Sequence, residues 1–453
     1  MSTRIINPAN GQLAYSIELM DAAAIEAVLA QSQRAFAQWS AHSLQHRGQL
    51  LRQVGHELRE RKHDIQRIMT TEMGKLRKEA IAEIEKCAGA CDYYADHAAE
   101  LLADKAIATD GSRSYVRYEP IGCVLAVMPW NFPLWQVFRF LAPALMAGNV
   151  ALLKHASNVP HCADVIADVL REAGLPPGVL GVLHIDNDQA AEVIRDPRVA
   201  AVTLTGSERA GRSVAANAGQ QLKKSVMELG GSDAFIVLED ADLDSTVTAA
   251  VASRFGNAGQ TCIAAKRFIV VEAIADAFIE RFVAAASRLR LGDPQDDATS
   301  LAPMARQDLR DELHRQVLAS VEQGAVVLLG GQPDSSHAGY PATILDRVVP
   351  GMPAYEEELF GPVASLLRVA GEVEAVKVAN DTRFGLGGSV WTRDAARGER
   401  IAGQLQVGAA FVNAIVRSDV RLPFGGAKQS GFGRELAEHG IHEFMNIKSV
   451  YVA

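Results

Sequence analysis

The sequence predicts an α/β protein built on doubly wound parallel sheets, and two observations carry that prediction. From Gly122 onward, short apolar runs at Cys123–Met128, 150–154, 179–184, 200–204 and 225–229 alternate with helical stretches. Strands buried on both faces by crossover helices have this texture, because neither face is left for water. The residues with chemical potential also follow those runs, and open α/β sheets bind ligands at the carboxyl ends of their strands. A chain of 453 residues, 48% hydrophobic and 22% charged, has material for more than one substantial core, so two large domains are expected.

The opening third reads as helical scaffold. Asp21 is placed to cap a helix whose apolar positions Ile25, Leu29, Phe36 and Trp39 share one face. A second helix is expected over about residues 47–68, an interruption at Glu72-Met73-Gly74-Lys75, and a third helix over about 77–102. The charge run from Glu57 to Lys62 reads as a solvated face. Between Ser114 and Pro120, Tyr115, Arg117 and Glu119 alternate with Val116 and Tyr118, the period of a partly exposed strand. Beyond residue 262 a second α/β block is expected, with strands at 268–271, 326–329 and 410–413 and a helix over about 274–291.

Charge and cysteine usage exclude several classes. A net charge of −9 and a pI near 5.8 leave no footprint for nucleic acid. The start, Met1-Ser2-Thr3-Arg4-Ile5-Ile6-Asn7-Pro8, has no apolar core of signal-peptide length, and no uncharged apolar stretch reaches membrane-spanning length. A soluble, cytoplasmic protein is expected, without membrane or nucleic-acid partners. Five scattered cysteines (Cys87, Cys91, Cys123, Cys162, Cys262) fit a reducing compartment rather than a disulfide scaffold. Cys87 and Cys91 are four apart on a helix, but nothing completes a metal site around them, so no metal is expected.

The chemistry gathers around Phe255-Gly256-Asn257-Ala258-Gly259-Gln260-Thr261-Cys262, a small-residue loop that delivers one cysteine. A lone cysteine is usually a small buried hydrophobe. Here Val226-Met227-Glu228-Leu229-Gly230-Gly231 adds a carboxylate flanked by apolar residues and glycines. Pro129-Trp130-Asn131-Phe132-Pro133 follows the strand ending at Met128 and brings an amide donor to a strand end, where an oxyanion could form. Lys154 follows another strand. Thr205-Gly206-Ser207-Glu208-Arg209-Ala210-Gly211 is a glycine turn leading into a helix, suited to a diphosphate but equally an ordinary strand–helix turn. Glu356-Glu357-Glu358-Leu359-Phe360-Gly361-Pro362 turns an acidic stretch inward, and the glycine-rich 423–435 reads as a structured loop because it contains Phe424 and Phe432.

These motifs resemble the aldehyde dehydrogenase superfamily. E-L-G-G at 228–231 and N-x-G-Q-x-C at 257–262 stand in that family's order and spacing, joined by Pro-Trp-Asn-Phe-Pro, the lysine-bearing strand, Thr-Gly-Ser with Gly211, Glu-Leu-Phe-Gly-Pro, Asn380-Asp381-Thr382 and Pro-Phe-Gly-Gly. The resemblance runs nearly end to end. It implies a Rossmann-type cofactor domain (1–100 and 121–227), an α/β catalytic domain (228–434) and a small β arm (101–120 and 435–453) that crosses between subunits of a homodimer or a dimer of dimers.

Carried over residue by residue, the family mechanism makes Cys262 the nucleophile and Asn131, with the Cys262 backbone N–H, the oxyanion donors, each worth about 3 kcal/mol. Glu228 becomes the base that activates water against the thioester, and Lys154 joins the catalytic set. The cofactor, NAD or NADP, would lie along Pro129, Trp130, Lys154, Ser157, Gly206, Ser207, Gly211, Leu229, Glu358 and Phe360. NAD-strict relatives usually carry glutamate where Ser157 stands, so NADP should be tolerated. Arg139, eight residues past Asn131 among Val137, Phe138, Phe140 and Leu141, matches the arginine with which semialdehyde-oxidising relatives grip a far carboxylate. Ser418 and Arg417 are further substrate candidates. Some succinate-semialdehyde enzymes hold a second arginine where Gly256 stands here.

The texture is most like the bacterial succinate-semialdehyde branch, which implies oxidation of a small carboxylate-bearing aldehyde to its acid. The alternatives are the same chemistry on glutarate semialdehyde or a broad range of aldehydes, a coenzyme-A-acylating relative, disfavoured by Glu228, and a non-catalytic protein that keeps the fold.

Overall fold

The structure is a computed structural model and describes residues 2–453. Two parallel sheets form its frame. In the first, the spatial order is Gly431–Phe432, Lys224–Glu228, Val199–Thr205, Cys123–Met128, Val150–His155, Leu180–Val182, and every pair is parallel except Gly431–Phe432 against Lys224–Glu228. Val124, Leu125, Leu152, Leu153 and Val202 are fully buried. Each such side chain contributes roughly 1.5–3 kcal/mol of burial free energy, which explains the unbroken apolar runs.

The second sheet runs Val326–Leu329, Thr343–Asp346, Val363–Val369, Ala265–Val271, Asp233–Val237, Gly387–Trp391, Ala409–Val412, and only its first pair is antiparallel. A third sheet pairs Met445–Val452 with Arg113–Pro120 over eight residues and adds the short strand Lys105–Ala106. Ser2–Ile6 and Leu13–Glu18 form an antiparallel pair at the start.

Asp21 does cap the first helix, Ala22–Trp39, accepting a 2.8 Å bond from the Ala24 N–H. The single second helix expected over 47–68 is in fact two, Leu44–Glu60 and Lys62–Met73. Arg61 leaves helical geometry at φ −93°, ψ 5° and no proline or glycine in the sequence marks the break. Gly74, at φ 76°, then stops the chain in the left-handed region that favours glycine. The third helix runs Arg77–Leu101.

The crevice that matters opens beside Cys123–Met128. This strand has Val150–His155 on one side and Val199–Thr205 on the other, so the segments leaving Met128 and Thr205 border one cleft. Among the described residues no helix is long and apolar enough to cross a membrane, and no cluster of His, Cys, Asp or Glu is of metal-binding size.

Candidate active site

Cys262 stands two residues before the run Ala264-Ala265 that enters the second sheet, and three consecutive left-handed residues precede it: Asn257 (φ 53°), Ala258 (φ 52°) and Gly259 (φ 71°). Two of them are not glycine, a conformation that costs on the order of 1–3 kcal/mol each and must be held by its surroundings. Arg254, fully buried, does much of the holding, donating to the carbonyls of Gly259 (2.6 Å), Gly361 (2.6 Å) and Ala265 (3.1 Å). Asn257 donates through its side chain to the Asn131 carbonyl at 2.9 Å, and its N–H donates to Glu79 at 2.8 Å. Behind the cysteine, the buried Lys266 ammonium donates to the carbonyls of Thr261 (3.0 Å) and Cys262 (2.7 Å) and pairs with Glu358 at 3.2 Å.

The Cys262 side chain is half-buried and faces a cleft of about 260 Å³. Its walls include Trp130, Asn131, Gln136, Thr205, Glu358 and Phe360, and Trp130 meets Phe360 edge to face at 5.8 Å. Burial pushes the Cys262 thiol up to about 11, partly countered by the positive charges of Arg139 and Lys266. Resting Cys262 is therefore a thiol at neutral pH, and its thiolate grows with pH.

Asn131 lies on the same cleft. One of its two amide hydrogens goes to the Gln260 carbonyl at 3.0 Å, which fixes the side chain and leaves the other hydrogen for the cleft. Its own carbonyl is gripped by Lys75 at 2.8 Å, and Lys75 is paired with Glu83 in a fully enclosed contact. Glu83 in turn accepts the N–H groups of Leu134 and Trp135, both at 2.9 Å, capping the helix Trp135–Ala147.

Glu228 is 2% exposed, and neither carboxyl oxygen has a hydrogen-bond partner among the described residues. It packs against Gly425, where an added Cβ would come within 2.7 Å of its Oε1. Burial, with the like charge of Glu435, pushes its carboxyl well above the usual range, so it rests neutral. It is not on the cleft wall that Cys262 faces; its neighbours Leu229 and Gly230 are. The loop 423–435 is structured, as expected: Ser430 bonds Leu229 (3.0 Å) and Gly230 (2.6 Å), and Gly431 pairs with Glu228.

At the other end of the cleft, Gly206 and Ser207 open the thirteen-residue helix Glu208–Gln220, which Ser207 caps, and Gly211 packs on Leu229 where any Cβ would collide. Pro129 lines the cleft beside them. Lys154, 9% exposed, makes one long hydrogen bond, 3.5 Å to Asn187, and Ser157 beyond it is exposed. A mostly buried ammonium with unused donors next to a free hydroxyl suits a phosphate-bearing group.

Arg139, expected at the far carboxylate of the substrate, lies inside the fold. The helix is indeed buried throughout, and Arg139 is 2% exposed. Its anion is internal, however: the guanidinium pairs with buried Glu435, donates to Thr205 at 3.2 Å and stacks over Phe424 at 4.4 Å. Arg139 is not on the wall of either cavity beside the cysteine. Arg417 is exposed and influences Asp419, whereas Ser418 is buried and bonded to Lys86 and Trp135. Arg254, the other arginine near the loop, serves the backbone.

Sequence reasoning missed Lys86, Lys266, Lys75 and Glu83. For Lys86 a signal existed: Glu79, Glu83 and Lys86 recur at helical spacing as a polar stripe, and with Ala82 they form one wall of a second cavity.

The sequence model of the aldehyde dehydrogenase family matches residues 1–450. The chain is 48% identical to the succinate semialdehyde dehydrogenase [NAD(P)+] of Escherichia coli over 447 residues, covering 98% of this chain and 97% of that protein. It is 47% identical to succinate-semialdehyde dehydrogenase [NADP(+)] 1 of Mycobacterium tuberculosis, covering the whole of both. Its structure superposes with a TM-score of 0.97, at 38% identity and 99% coverage of both chains, on the succinic semialdehyde dehydrogenase of Streptococcus pyogenes solved with NADP+. A strained cysteine loop opening on a cleft with a fixed amide donor, and likeness along the full length, lead to one assignment: the chain belongs to the aldehyde dehydrogenase family.

Proposed function

We propose that the protein oxidises succinate semialdehyde to succinate with NADP or NAD, through an acyl intermediate on Cys262. The observation that carries the chemistry is the meeting of the Cys262 side chain and an unused Asn131 amide hydrogen on one cleft. The substrate rests on the names borne by relatives alike over their whole length.

In this reading the Cys262 thiolate attacks the aldehyde carbon, and the new oxyanion meets the Asn131 amide and the Cys262 N–H. The nicotinamide dinucleotide, when bound, supplies the hydride acceptor. Trp130, Glu358 and Phe360 would flank its reactive end, Gly206, Ser207, Gly211 and Leu229 its diphosphate, with Lys154 and Ser157 at the adenosine ribose. Ser157 places no carboxylate against a 2′-phosphate, which favours acceptance of NADP. Glu228, unbonded and lodged beside Gly425, loses its resting proton to solvent as it turns toward the thioester, and its carboxylate then takes a proton from the attacking water. The carboxylic acid then leaves.

The same reading assigns 1–100 and 121–227 to cofactor binding, 228–434 to catalysis, and 101–120 with 435–453 to a β arm. That arm supports a homo-oligomer: Ile447, Tyr451 and Val452 are 59%, 56% and 46% exposed on a strand paired only on one side. The working form is a cytoplasmic homodimer or dimer of dimers.

One panel tests the function: formation of reduced cofactor with succinate semialdehyde, glutarate semialdehyde and butanal, with each cofactor, with and without coenzyme A. The reading expects the highest kcat/KM for succinate semialdehyde and no need for coenzyme A. A coenzyme-A-dependent rate, or equal kcat/KM for butanal, would overturn it. Light scattering that finds only monomer at micromolar concentration would remove the arm's assigned role.

A further inference from the structure

One cation stands where three loops of the site converge. Lys266, 1% exposed on the strand Ala265–Val271, turns its ammonium back toward the nucleophile, donating to the carbonyls of Thr261 at 3.0 Å and Cys262 at 2.7 Å. Its third contact is Glu358 Oε1 at 3.2 Å. The loop after Glu228 closes the junction: the Gly231 N–H donates to the same Glu358 oxygen at 3.1 Å, and a Cβ on Gly231 would come within 2.8 Å of the Cys262 carbonyl. We propose that Lys266 is a positioning residue for the reaction, whose single charge supports the Cys262 thiolate while fixing Glu358 for the nicotinamide end of the dinucleotide. The proposal rests on the reading above of Cys262 as nucleophile and Glu358 as cofactor contact, and names the group that ties the two together.

An ammonium carries three N–H groups, and here each has an acceptor. A neutral amine would leave one of those oxygens bare, so the contacts select the charged form. Burial lowers the Lys266 ammonium, and the charge of Glu358 works against that loss. Asp233 is a weaker counter-ion, because burial pushes its carboxyl up to about 7 and its Oδ1 already accepts the Gly387 N–H at 3.0 Å. Glu358 keeps a second oxygen for the cleft: it lines that wall at 19% exposure, with Oε2 packed on Gly230.

At the sulfur these charges oppose one another. Burial disfavours the Cys262 thiolate most, Arg139 and Lys266 favour it, and Glu358 and Asp233 disfavour it again. Arg139 has its own carboxylate in Glu435, and Arg254 is spent on the carbonyls of Gly259, Gly361 and Ala265. Removing Lys266 therefore takes away a favourable charge and frees an unfavourable one, whereas removing the charge of Glu358 alone does the reverse. Two substitutions in one ion pair move the thiol in opposite directions, which a loss of packing does not do. Toward the dinucleotide they act alike, since one removes the carboxylate and the other its anchor.

The test alkylates the unliganded protein with iodoacetamide at pH 8, and separately titrates it with NADP+ in a calorimeter, in the wild type, Lys266→Met, Glu358→Gln and the double variant. The other four cysteines are at most 4% exposed, so the label reports Cys262. Lys266→Met is expected to slow alkylation roughly tenfold and Glu358→Gln to speed it about threefold or more, as the loss of an adjacent cation or anion does. Each should weaken NADP+ binding about tenfold, the loss of one charge-assisted contact. The double variant should bring alkylation back within about threefold of the wild type and keep the weakened binding. Alkylation shifted in the same direction by both single variants, or NADP+ affinity unchanged in both, overturns the proposal and leaves the cofactor reading standing. If Lys266→Met does not fold, Glu358→Gln decides, since it keeps the shape of the side chain and the lysine: alkylation no faster than in the wild type overturns the proposal. A wild type that does not bind NADP+ overturns the cofactor reading and, with it, the assignment of Glu358.

Discussion

Replacing Arg139 by methionine separates structure from recognition at the position where they were easiest to confuse. The guanidinium and the Glu435 carboxylate are 2% and 3% exposed, and neither Glu435 oxygen has another hydrogen-bond partner among the described residues. Removing the cation strands a buried carboxylate, a change that costs about 3–5 kcal/mol. For a cooperative unit of about 225 residues, an unfolding entropy near 2.1 cal/mol/K per residue converts about 4 kcal/mol into a Tm loss of roughly 8 °C. Glu435→Leu in the same chain removes the stranded charge, so the double variant should regain more than half of that loss. Calorimetry measures the Tm, and kcat/KM for succinate semialdehyde against butanal measures the preference, which Arg139→Met should leave within about threefold. A variant with unchanged Tm that has lost its preference for the semialdehyde would refute the assignment of Arg139 to Glu435 and return it to the substrate.

Further expectations concern the groups around the sulfur. Glu228→Gln should keep the first burst of reduced cofactor and lose steady turnover, which rapid mixing resolves; equal loss of both phases would remove Glu228 from deacylation. Because the resting thiol is pushed up to about 11, iodoacetamide should alkylate Cys262 about tenfold faster per pH unit between pH 7 and 10, and a plateau below pH 8 would contradict that burial. Ser157→Glu should cut kcat/KM with NADP at least tenfold and spare NAD, as a carboxylate facing the 2′-phosphate would require.

The elements that packing dictates were legible in the sequence. Cys123–Met128 appears as an unbroken apolar run because both of its faces are covered, and Asp21 declares a helix start by its short carboxylate. The break at Arg61 carries no such mark, since no proline or glycine stands there, and the strands Asp233–Val237 and Gly387–Trp391 of the second sheet went unread among glycines and mixed residues. At the site, the neighbours of Arg139 correctly indicated burial, but Glu435 lies far along the chain and nothing local names it as the partner. Lys86 was hidden for the opposite reason: one lysine in a long helix looks solvated until the turn after Cys123–Met128 brings Trp135 over it.

Cys262 lines one hollow, while its chain neighbours Thr261 and Ile263 line another. In the proposed reading the dinucleotide lies against Trp130 and so fills only the first, which leaves the hollow beside Trp135 free of it.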